Sequence, residues 1–194
     1  MRESFALIAG GGTAGHLYPG LAVAEALVSL GKRRNEIHFF TSDREIDNKL
    51  LTAADFHFTP LEGNGLTRRN ISSLIGAVIL LIKSTIFAYR YVRKSKPKVI
   101  LALGGFAAVP GSVAGLLTGT PVVLHEQNSV PGTANKLISK WVKKSAVSYQ
   151  STELPRRMYT GNPVRKEITN LDSSDKSMHR SQLGIPDENK LVVI

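Results

Sequence analysis

A glycine-rich turn near the start of the chain has the residue types and the spacing of an anion-binding loop. Gly10, Gly12 and Gly15 follow the apolar run at residues 5–9 and precede a second apolar segment, so the pattern predicts a strand, a turn and a helix. Glycine allows the tight turn, and the start of the next helix presents free N–H groups and a positive dipole to an anion. The loop would suit a pyrophosphate, a sugar or a dinucleotide, and a turn needed only for close packing is the alternative interpretation.

His16 directly follows this turn and is the leading candidate for acid–base chemistry. The positive end of the helix dipole disfavours a charged imidazolium there, and a neutral imidazole that faces a ligand can act as a general base. A histidine that only hydrogen-bonds the loop is the alternative. The turn is not a nucleotide-binding P-loop, because His16 and Leu17 stand where that motif has lysine and then serine or threonine.

The chain offers little else for metal or thiol chemistry. It has no cysteine, so disulfides and thiolate sites are excluded. His125 and Glu126 begin like a zinc-protease motif, but Ser129 stands where the second histidine would be, and we expect no metal and no cofactor. Asp43 follows the second predicted strand, where dinucleotide-binding proteins place the acid that contacts ribose. A nicotinamide-dependent oxidoreductase is therefore an alternative that the loop by itself leaves open.

The elements that must position these residues alternate between strand and helix. We predict strands at residues 5–9, 36–40, 56–61, 99–103, 121–125 and 146–149, and helices at 19–30, from about 43, at 71–94, from about 110 and at 131–143. Such alternation is typical of an α/β fold with a doubly wound, Rossmann-like parallel sheet that is covered on both faces. Ligands bind beyond the carboxyl ends of such strands, where the first glycine turn, Gly104, Gly105 and residues 126–128 are all expected to lie.

The chain has 194 residues, which suits one domain or one domain and the start of another. We predict a domain at residues 1–166, a polar linker at 167–189, and the first strand of a second, truncated domain at 190–194. A buried strand needs neighbours and the sequence ends before any appear, so we interpret the chain as part of a longer protein. The longest apolar stretch, at residues 71–82, is shorter than the roughly 20 residues of a membrane span.

Four segments together resemble one known family. Residues 11–20, 104–106, 125–128 and 161–165 are similar in order and spacing to the signatures of the MurG family of N-acetylglucosaminyltransferases, and the resemblance covers nearly the whole chain. One departure is Ala14, where the family often has glycine. The resemblance implies the N-terminal, acceptor-side domain of a two-domain GT-B glycosyltransferase. It further implies inverting transfer of N-acetylglucosamine from UDP-N-acetylglucosamine to the undecaprenyl-pyrophosphoryl-muramoyl-pentapeptide lipid I, giving lipid II, a reaction that this chain would not complete without the missing donor domain.

The resemblance also implies a role for single residues. His16 matches the position of the base that deprotonates the acceptor's sugar hydroxyl. The positions that match donor contacts are Thr13, Ala14, Gly15, Asn128 and Arg165. The positions that match acceptor contacts are Gly12, Gly104, Gly105 and Glu126. A non-catalytic module that binds the membrane and the lipid-linked acceptor is the remaining alternative.

The formal net charge of +10 is concentrated in one region. No acidic residue lies between Glu62 and Glu126, whereas this stretch contains Arg68, Arg69, Lys83, Arg90, Arg93, Lys94, Lys96 and Lys98. A basic region of this kind attracts phosphate groups, and a solvated face without a partner is the alternative. The cations surround an apolar helix and not an aromatic stacking platform, so we expect a membrane partner and no nucleic acid.

The predicted helix at residues 71–94 has two apolar sides. We predict that the larger stripe faces the core; it consists of Ile71, Leu74, Ile75, Val78, Ile82, Ile86 and Tyr89. The other side carries a mixed group of apolar and basic residues, Leu80, Lys83, Phe87, Arg90, Tyr91 and Lys94. Apolar residues flanked by cations on an exposed face are typical of a surface for anionic lipid, although packing on a neighbouring element is the alternative. Together with the lipid acceptor, the resemblance implies a peripheral protein on the cytoplasmic face of the cell membrane.

Overall fold

A parallel sheet flanked by helices organises the part of the chain that the computed structural model describes, residues 4–63, 71–170, 176–186 and 188–192. The strands are β1 (Ala6–Gly10), β2 (Ile37–Ser42), β3 (His57–Leu61), β4 (Val99–Gly104), β5 (Val122–Glu126), β6 (Lys144–Val147) and β7 (Arg157–Tyr159). The helices are α1 (Ala14–Ser29), α2 (Glu45–Ala53), α3 (Ile71–Ser95), α4 (Ala108–Thr118), α5 (Thr133–Ile138), α6 (Lys166–Thr169) and α7 (Lys176–Gln182). Within these residues the strands form a seven-stranded sheet in the order β3-β2-β1-β4-β5-β6-β7, and all neighbours are parallel.

Alternating side chains of the central strands build an apolar layer on each face of the sheet. Leu7 and Phe40 belong to the layer that includes residues of α3, α4 and α5, whereas Ile8 and Phe39 belong to the layer that includes residues of α1 and α2. Successive side chains of a strand point to opposite faces, so a strand covered on both faces must be apolar throughout. The fully buried strand β1 has this pattern, and the predicted doubly wound α/β fold is confirmed.

The order of the strands creates a crevice at their carboxyl ends. The chain runs outward from β1 through β2 to β3 and then crosses to β4, on the other side of β1. Neighbouring strands whose connections leave in opposite directions leave room between the turns that follow them, and ligands of this fold class bind there. The turn after β1 and the turn after β4 are therefore neighbours in space.

Most predicted elements are present, with shifted ends. Helix α1 begins at Ala14, earlier than predicted, and Gly31 adopts a φ of 91° beyond its end, as expected for a C-terminal glycine. The helix predicted at residues 131–143 is wrong in length, because α5 ends at Ile138. Strand β7 is absent from the sequence prediction, since this exposed edge strand has no apolar alternation.

The predicted linker and second domain are only partly described. Helix α6 overlaps the start of the predicted linker, and helix α7 lies inside it. Residues 190–192 have no regular secondary structure. Residues 193 and 194 fall outside the described residues, as do Arg68 and Arg69 of the basic region. The division into domain, linker and second domain stays a prediction.

Most of the apolar stripe of α3 that we expected in the core is exposed, and among its described side chains only Tyr89 packs against the core. Ile75 and Ile82, which we expected in the core, are 58% and 53% exposed. The side chains of Ile71 and Leu74 lie outside the described residues. Val78 and Ile86 are exposed as well, so the largest apolar stripe of this helix points away from the sheet.

Small side chains form the face that α3 buries. This face consists of Ser84, Ala88, Val92 and Ser95. Small residues allow a helix to approach its neighbours closely. Both serine hydroxyls donate to backbone carbonyls, Ser84 to Glu62 before the helix at 3.0 Å and Ser95 to Tyr91 within it at 2.8 Å. The orientation was wrong because the prediction assumed that the most apolar stripe is the buried one.

Only some of the residues that we predicted as a membrane surface are exposed in this orientation of α3. Lys83, Arg90 and Lys94 are exposed, as predicted. Leu80 and Tyr91 are half-buried, and Tyr91 stacks on His38 with ring centroids 4.7 Å apart and lies edge-on to Phe40 at 5.1 Å. Phe87 is 44% exposed but also contacts Phe40 and Tyr91. The aromatic side chains of this set therefore pack on the edge of the core.

By length and apolar composition, the segment Ile75–Ser95 of α3 could cross a membrane. Helices of soluble domains can meet the same two criteria, and α3 contributes Ala88 and Val92 to the apolar layer on one face of the sheet. We therefore interpret α3 as a helix of the domain that presents an exposed apolar row.

Candidate active site

Two glycine turns touch each other at the carboxyl ends of β1 and β4. Gly104 and Gly105 have φ values of 104° and 72°, a backbone region that side chains rarely adopt. A Cβ atom on Gly105 would lie 2.5 Å from the Gly11 carbonyl oxygen, and a Cβ atom on Gly104 would lie 3.0 Å from Nε2 of His16. The second turn therefore needs glycine both for its backbone and for its contact with the first turn.

The His16 ring lies between these turns and is held from one side. Its Nδ1 lies 2.9 Å from the Thr13 hydroxyl oxygen, and its Nε2 lies on the side of Gly104. When Nδ1 carries the proton and donates to Thr13, Nε2 has the free lone pair of a base. His16 is half-buried, which leaves its ring within reach of a ligand in the crevice.

The first turn of α1 supplies unused hydrogen-bond donors beside His16. The N–H groups of His16 and Leu17 donate to the Thr13 carbonyl at 3.1 and 3.2 Å. Within the described residues, the N–H groups of Ala14 and Gly15 have no acceptor. Free N–H groups at a helix start attract an anion, so these two predicted donor-contact positions fit that role.

The first glycine turn is fixed from outside by the β2–α2 connection, a feature that the sequence analysis missed. The Gly12 N–H donates to Oδ2 of the fully buried Asp47 at 2.7 Å, and the Arg44 guanidinium donates to the Gly12 carbonyl at 2.8 Å. Gly12 therefore has its N–H group committed inside the protein. The first turn of α2 contains two acidic residues, Glu45 and Asp47, and the sequence does not show which of them contacts the glycine turn.

Glu126 lies beneath the site and not on its surface. Its side chain is fully buried, and one carboxylate oxygen accepts hydrogen bonds from the backbone and side-chain nitrogens of Asn128, both at 3.0 Å. The other accepts from the Gly132 N–H at 3.0 Å and from Asn135 at 2.8 Å. This carboxylate fixes the exposed Asn128 at the end of β5, and the acceptor contact expected of Glu126 stays a prediction.

His125 connects β5 to the segment that carries Arg165. Its Nε2 lies 3.4 Å from the Gly161 carbonyl oxygen and 3.3 Å from the Ser148 hydroxyl. Burial lowers the pKa of His125 below its usual range, and the Gly161 contact opposes this shift. The Arg165 guanidinium lies 4.2 Å from the centre of the Tyr18 ring on α1, so the structure places this predicted donor contact beside the helix that begins at the first glycine turn.

Two other expectations concern residues outside this crevice. Asp43, the candidate ribose contact of a dinucleotide-binding protein, is exposed just beyond β2, and the carboxylate that contacts the glycine turn belongs to Asp47. Among the described residues, no three histidine, aspartate or glutamate side chains are grouped so that they could hold a metal ion.

Comparison with known proteins identifies similar chains. The family description "Glycosyltransferase family 28 N-terminal domain" matches residues 6–147. A relative from Acidovorax ebreus is 36% identical over 168 residues, which are 87% of this chain and 41% of the relative. A relative from Shewanella loihica is 33% identical over 192 residues, 99% of this chain and 50% of the relative. Both are named UDP-N-acetylglucosamine--N-acetylmuramyl-(pentapeptide) pyrophosphoryl-undecaprenol N-acetylglucosamine transferase, and the chain spans about half of their length.

Two solved structures are also similar to this chain. The crystal structure of MurG from Acinetobacter baumannii matches 84% of this chain and 47% of its own, with a TM-score of 0.70 and 27% identity. A UDP-GlcNAc 2-epimerase from Neisseria meningitidis, solved with UDP-GlcNAc, has a TM-score of 0.58 at 14% identity and covers 98% of this chain and 55% of its own; it shares the fold alone. These similarities favour the transferase over the nicotinamide-dependent oxidoreductase.

Proposed function

The chain belongs to glycosyltransferase family 28, whose N-terminal domain it carries, and we propose that it is the acceptor-binding half of an inverting N-acetylglucosaminyltransferase. The single observation that carries this proposal is the His16 ring, held between two touching glycine turns with Nε2 toward Gly104. The names of relatives that are 33–37% identical supply the donor and the acceptor: UDP-N-acetylglucosamine and the undecaprenyl-pyrophosphoryl-muramoyl-pentapeptide lipid.

In the proposed reaction, the acceptor's sugar hydroxyl attacks the anomeric carbon of the donor sugar. The new carbon–oxygen bond forms as the bond to UDP breaks, and the hydroxyl proton moves to Nε2 of His16. The free N–H groups of Ala14 and Gly15 stabilise negative charge on the departing diphosphate, together with the positive end of the α1 dipole. A single displacement of this kind inverts the anomeric centre.

We assign most of the donor pocket to a second domain outside these 194 residues, because they span about half of the length of the relatives. On the acceptor side, Gly104 and Gly105 form a turn into which a pyrophosphate can approach the backbone closely. We expect Asn128 and Arg165 to contact the donor from this half. We expect the 194-residue chain by itself to bind acceptor without transferring sugar.

A domain exchange tests this proposal. Residues 1–166 replace the corresponding half of the Shewanella loihica relative, and the hybrid receives UDP-N-acetylglucosamine and the lipid-linked acceptor in detergent. We expect the disaccharide-containing lipid to appear by mass spectrometry. A hybrid that is folded by circular dichroism, binds the donor and forms no product would contradict the proposal.

We also propose that the exposed row of α3 lies on an anionic membrane surface at the cytoplasmic face. This apolar row consists of Ile75, Val78, Ile79, Ile82 and Ile86, and Lys83, Arg90 and Lys94 are exposed along one side of it. Apolar side chains beside cations favour binding at a lipid interface, which would hold the crevice near a lipid-linked acceptor.

Vesicle sedimentation tests the membrane contact. We expect Ile79→Glu with Ile82→Glu to abolish binding to phosphatidylglycerol vesicles, whereas Leu30→Glu, at a 78% exposed position of the α1 end, leaves binding unchanged. Binding that persists in the double variant would refute this placement of the membrane surface.

A further inference from the structure

We propose that Asp47 is a positioning residue that fixes the first glycine turn and, through Thr13, the ring of His16. The proposal deepens the function proposed above, since it rests on that function for the role of His16 as a base. Asp47 lies in the first turn of α2, 35 positions from Gly12 in sequence, and its side chain is fully buried.

Three donors converge on one oxygen of Asp47. Oδ2 accepts hydrogen bonds from the Gly12 N–H at 2.7 Å, the Ser42 hydroxyl at 2.6 Å and the Ser42 N–H at 3.2 Å. The side chain is fully buried, where hydrogen bonds to an ionised group are stronger than they are in water. The carboxylate therefore ties the turn after β1 to the end of β2.

The same connection holds Gly12 from its other side. Arg44 donates from its guanidinium to the Gly12 carbonyl at 2.8 Å, so the N–H and the carbonyl of Gly12 are both fixed by residues at the start of α2. Gly12 has a φ of 84°, and a Cβ atom on Gly11 would collide with Oδ2 of Asp47. The Asp47 contact thus holds Gly12 in its conformation, and Asp47 fills the space beside Gly11.

Thr13 couples the position of Gly12 to the orientation of the His16 ring. Thr13 has an extended backbone just before α1, and its hydroxyl lies 2.9 Å from Nδ1 of His16. A rotation of the Gly12 peptide would move Thr13 and with it the hydrogen bond that orients the ring. Asp47 therefore controls which ring nitrogen faces Gly104, although the carboxylate does not contact the histidine.

A substitution of Leu51 can separate the positioning of the glycine turn from the general stability of the chain. It lies four residues beyond Asp47 on α2, is fully buried and belongs to the apolar layer with Ile8 and Phe39. Leu51→Ala weakens the packing of the same helix without removing a contact to the turn. Comparison of Asp47→Ala with Leu51→Ala can therefore distinguish a loss of helix packing from a loss of the hydrogen bonds to the turn.

The experiment uses the 194-residue chain and two nuclear magnetic resonance readouts, amide hydrogen exchange at Gly12 and the tautomer of His16 from ¹⁵N shifts of its ring. We expect Asp47→Ala to speed Gly12 exchange at least about tenfold, the loss expected for a hydrogen bond to a charged group, and to mix the His16 tautomers. Asp47→Asn, which keeps one acceptor oxygen, should restore most of both signals. Leu51→Ala should lower the melting temperature by several degrees and leave the tautomer as it is.

Ser42→Ala provides a milder variant should Asp47→Ala fail to fold, and it should shift the same two signals in the same direction. The proposal is overturned if the Asp47 and Ser42 variants leave the His16 tautomer unchanged, or if Leu51→Ala alters it equally. Neither readout needs donor or acceptor. Failure of sugar transfer in the domain exchange would therefore reject the proposed function and leave this result to stand separately.

Discussion

Replacing Glu126 by glutamine keeps the shape of the side chain and removes half of its hydrogen-bond acceptors. Each carboxylate oxygen accepts two hydrogen bonds, one oxygen from Asn128 and the other from Gly132 and Asn135. A glutamine NH₂ group would face either the two donors of the exposed Asn128 or the Gly132 and Asn135 donors, and the pair that it faces would lose its acceptor. A buried donor without a partner costs about 1–3 kcal/mol, so we expect Glu126→Gln to lower the free energy of unfolding by at least about 1 kcal/mol.

Urea denaturation followed by circular dichroism measures this change. At about 2–4 °C per kcal/mol for a chain of this size, the melting temperature should fall by at least about 2–4 °C. Glu153→Gln is the matched control, because Glu153 is an exposed carboxylate of the same domain and should shift stability by no more than about 0.5 kcal/mol. If Glu126→Gln is as stable as this control, the buried network does not hold the end of β5 and our account of Asn128 is wrong.

Two further predictions concern the glycine contact and acid stability. Gly105→Ala should destabilise the chain by at least about 2 kcal/mol in the same urea assay, because Gly105 has a φ of 72° and a Cβ atom there would meet the Gly11 carbonyl. The control variant Gly132→Ala, with open space around the glycine, should be nearly neutral. Equal effects of the two substitutions would refute the contact. Burial lowers the pKa of His38 to about 4 from 6.5, so between these pH values the unfolded chain binds a proton that the folded chain does not, and stability should fall with falling pH by up to about 3 kcal/mol. The urea midpoint of His38→Gln should lose less over this window, and an identical pH profile would contradict the shift.

The fold could be predicted because its strands leave a simple signal. A strand covered on both faces must be apolar at every position, as β1 is, and each glycine turn follows such a strand. Strand β7 gave no such signal, since it lies at the sheet edge with every residue exposed. The faces of α3 were misjudged because close packing on Ser84 and Ala88 outweighs the larger apolar area of its isoleucines, and sequence periodicity does not show which neighbour a face meets.

The site was predictable only where its residues are close in sequence. His16 and Thr13 are three positions apart, and their placement follows from the turn and the helix that contain them. Asp47 meets Gly12 across 35 positions, and that contact depends on the parallel pairing of β1 with β2. The burial of Glu126 likewise depends on where α5 brings Asn135, so its positioning role emerges only with the tertiary structure.

The turnover of the hybrid transferase with His16→Ala tests the central claim most directly. Removing a general base lowers the rate about 10²- to 10⁴-fold, and we expect kcat to fall by this factor while the KM for UDP-N-acetylglucosamine changes little. His57→Ala, at an exposed histidine of β3, should retain full turnover. A His16→Ala hybrid with a kcat within a few-fold of the unmodified hybrid would contradict the assignment of His16 as the base.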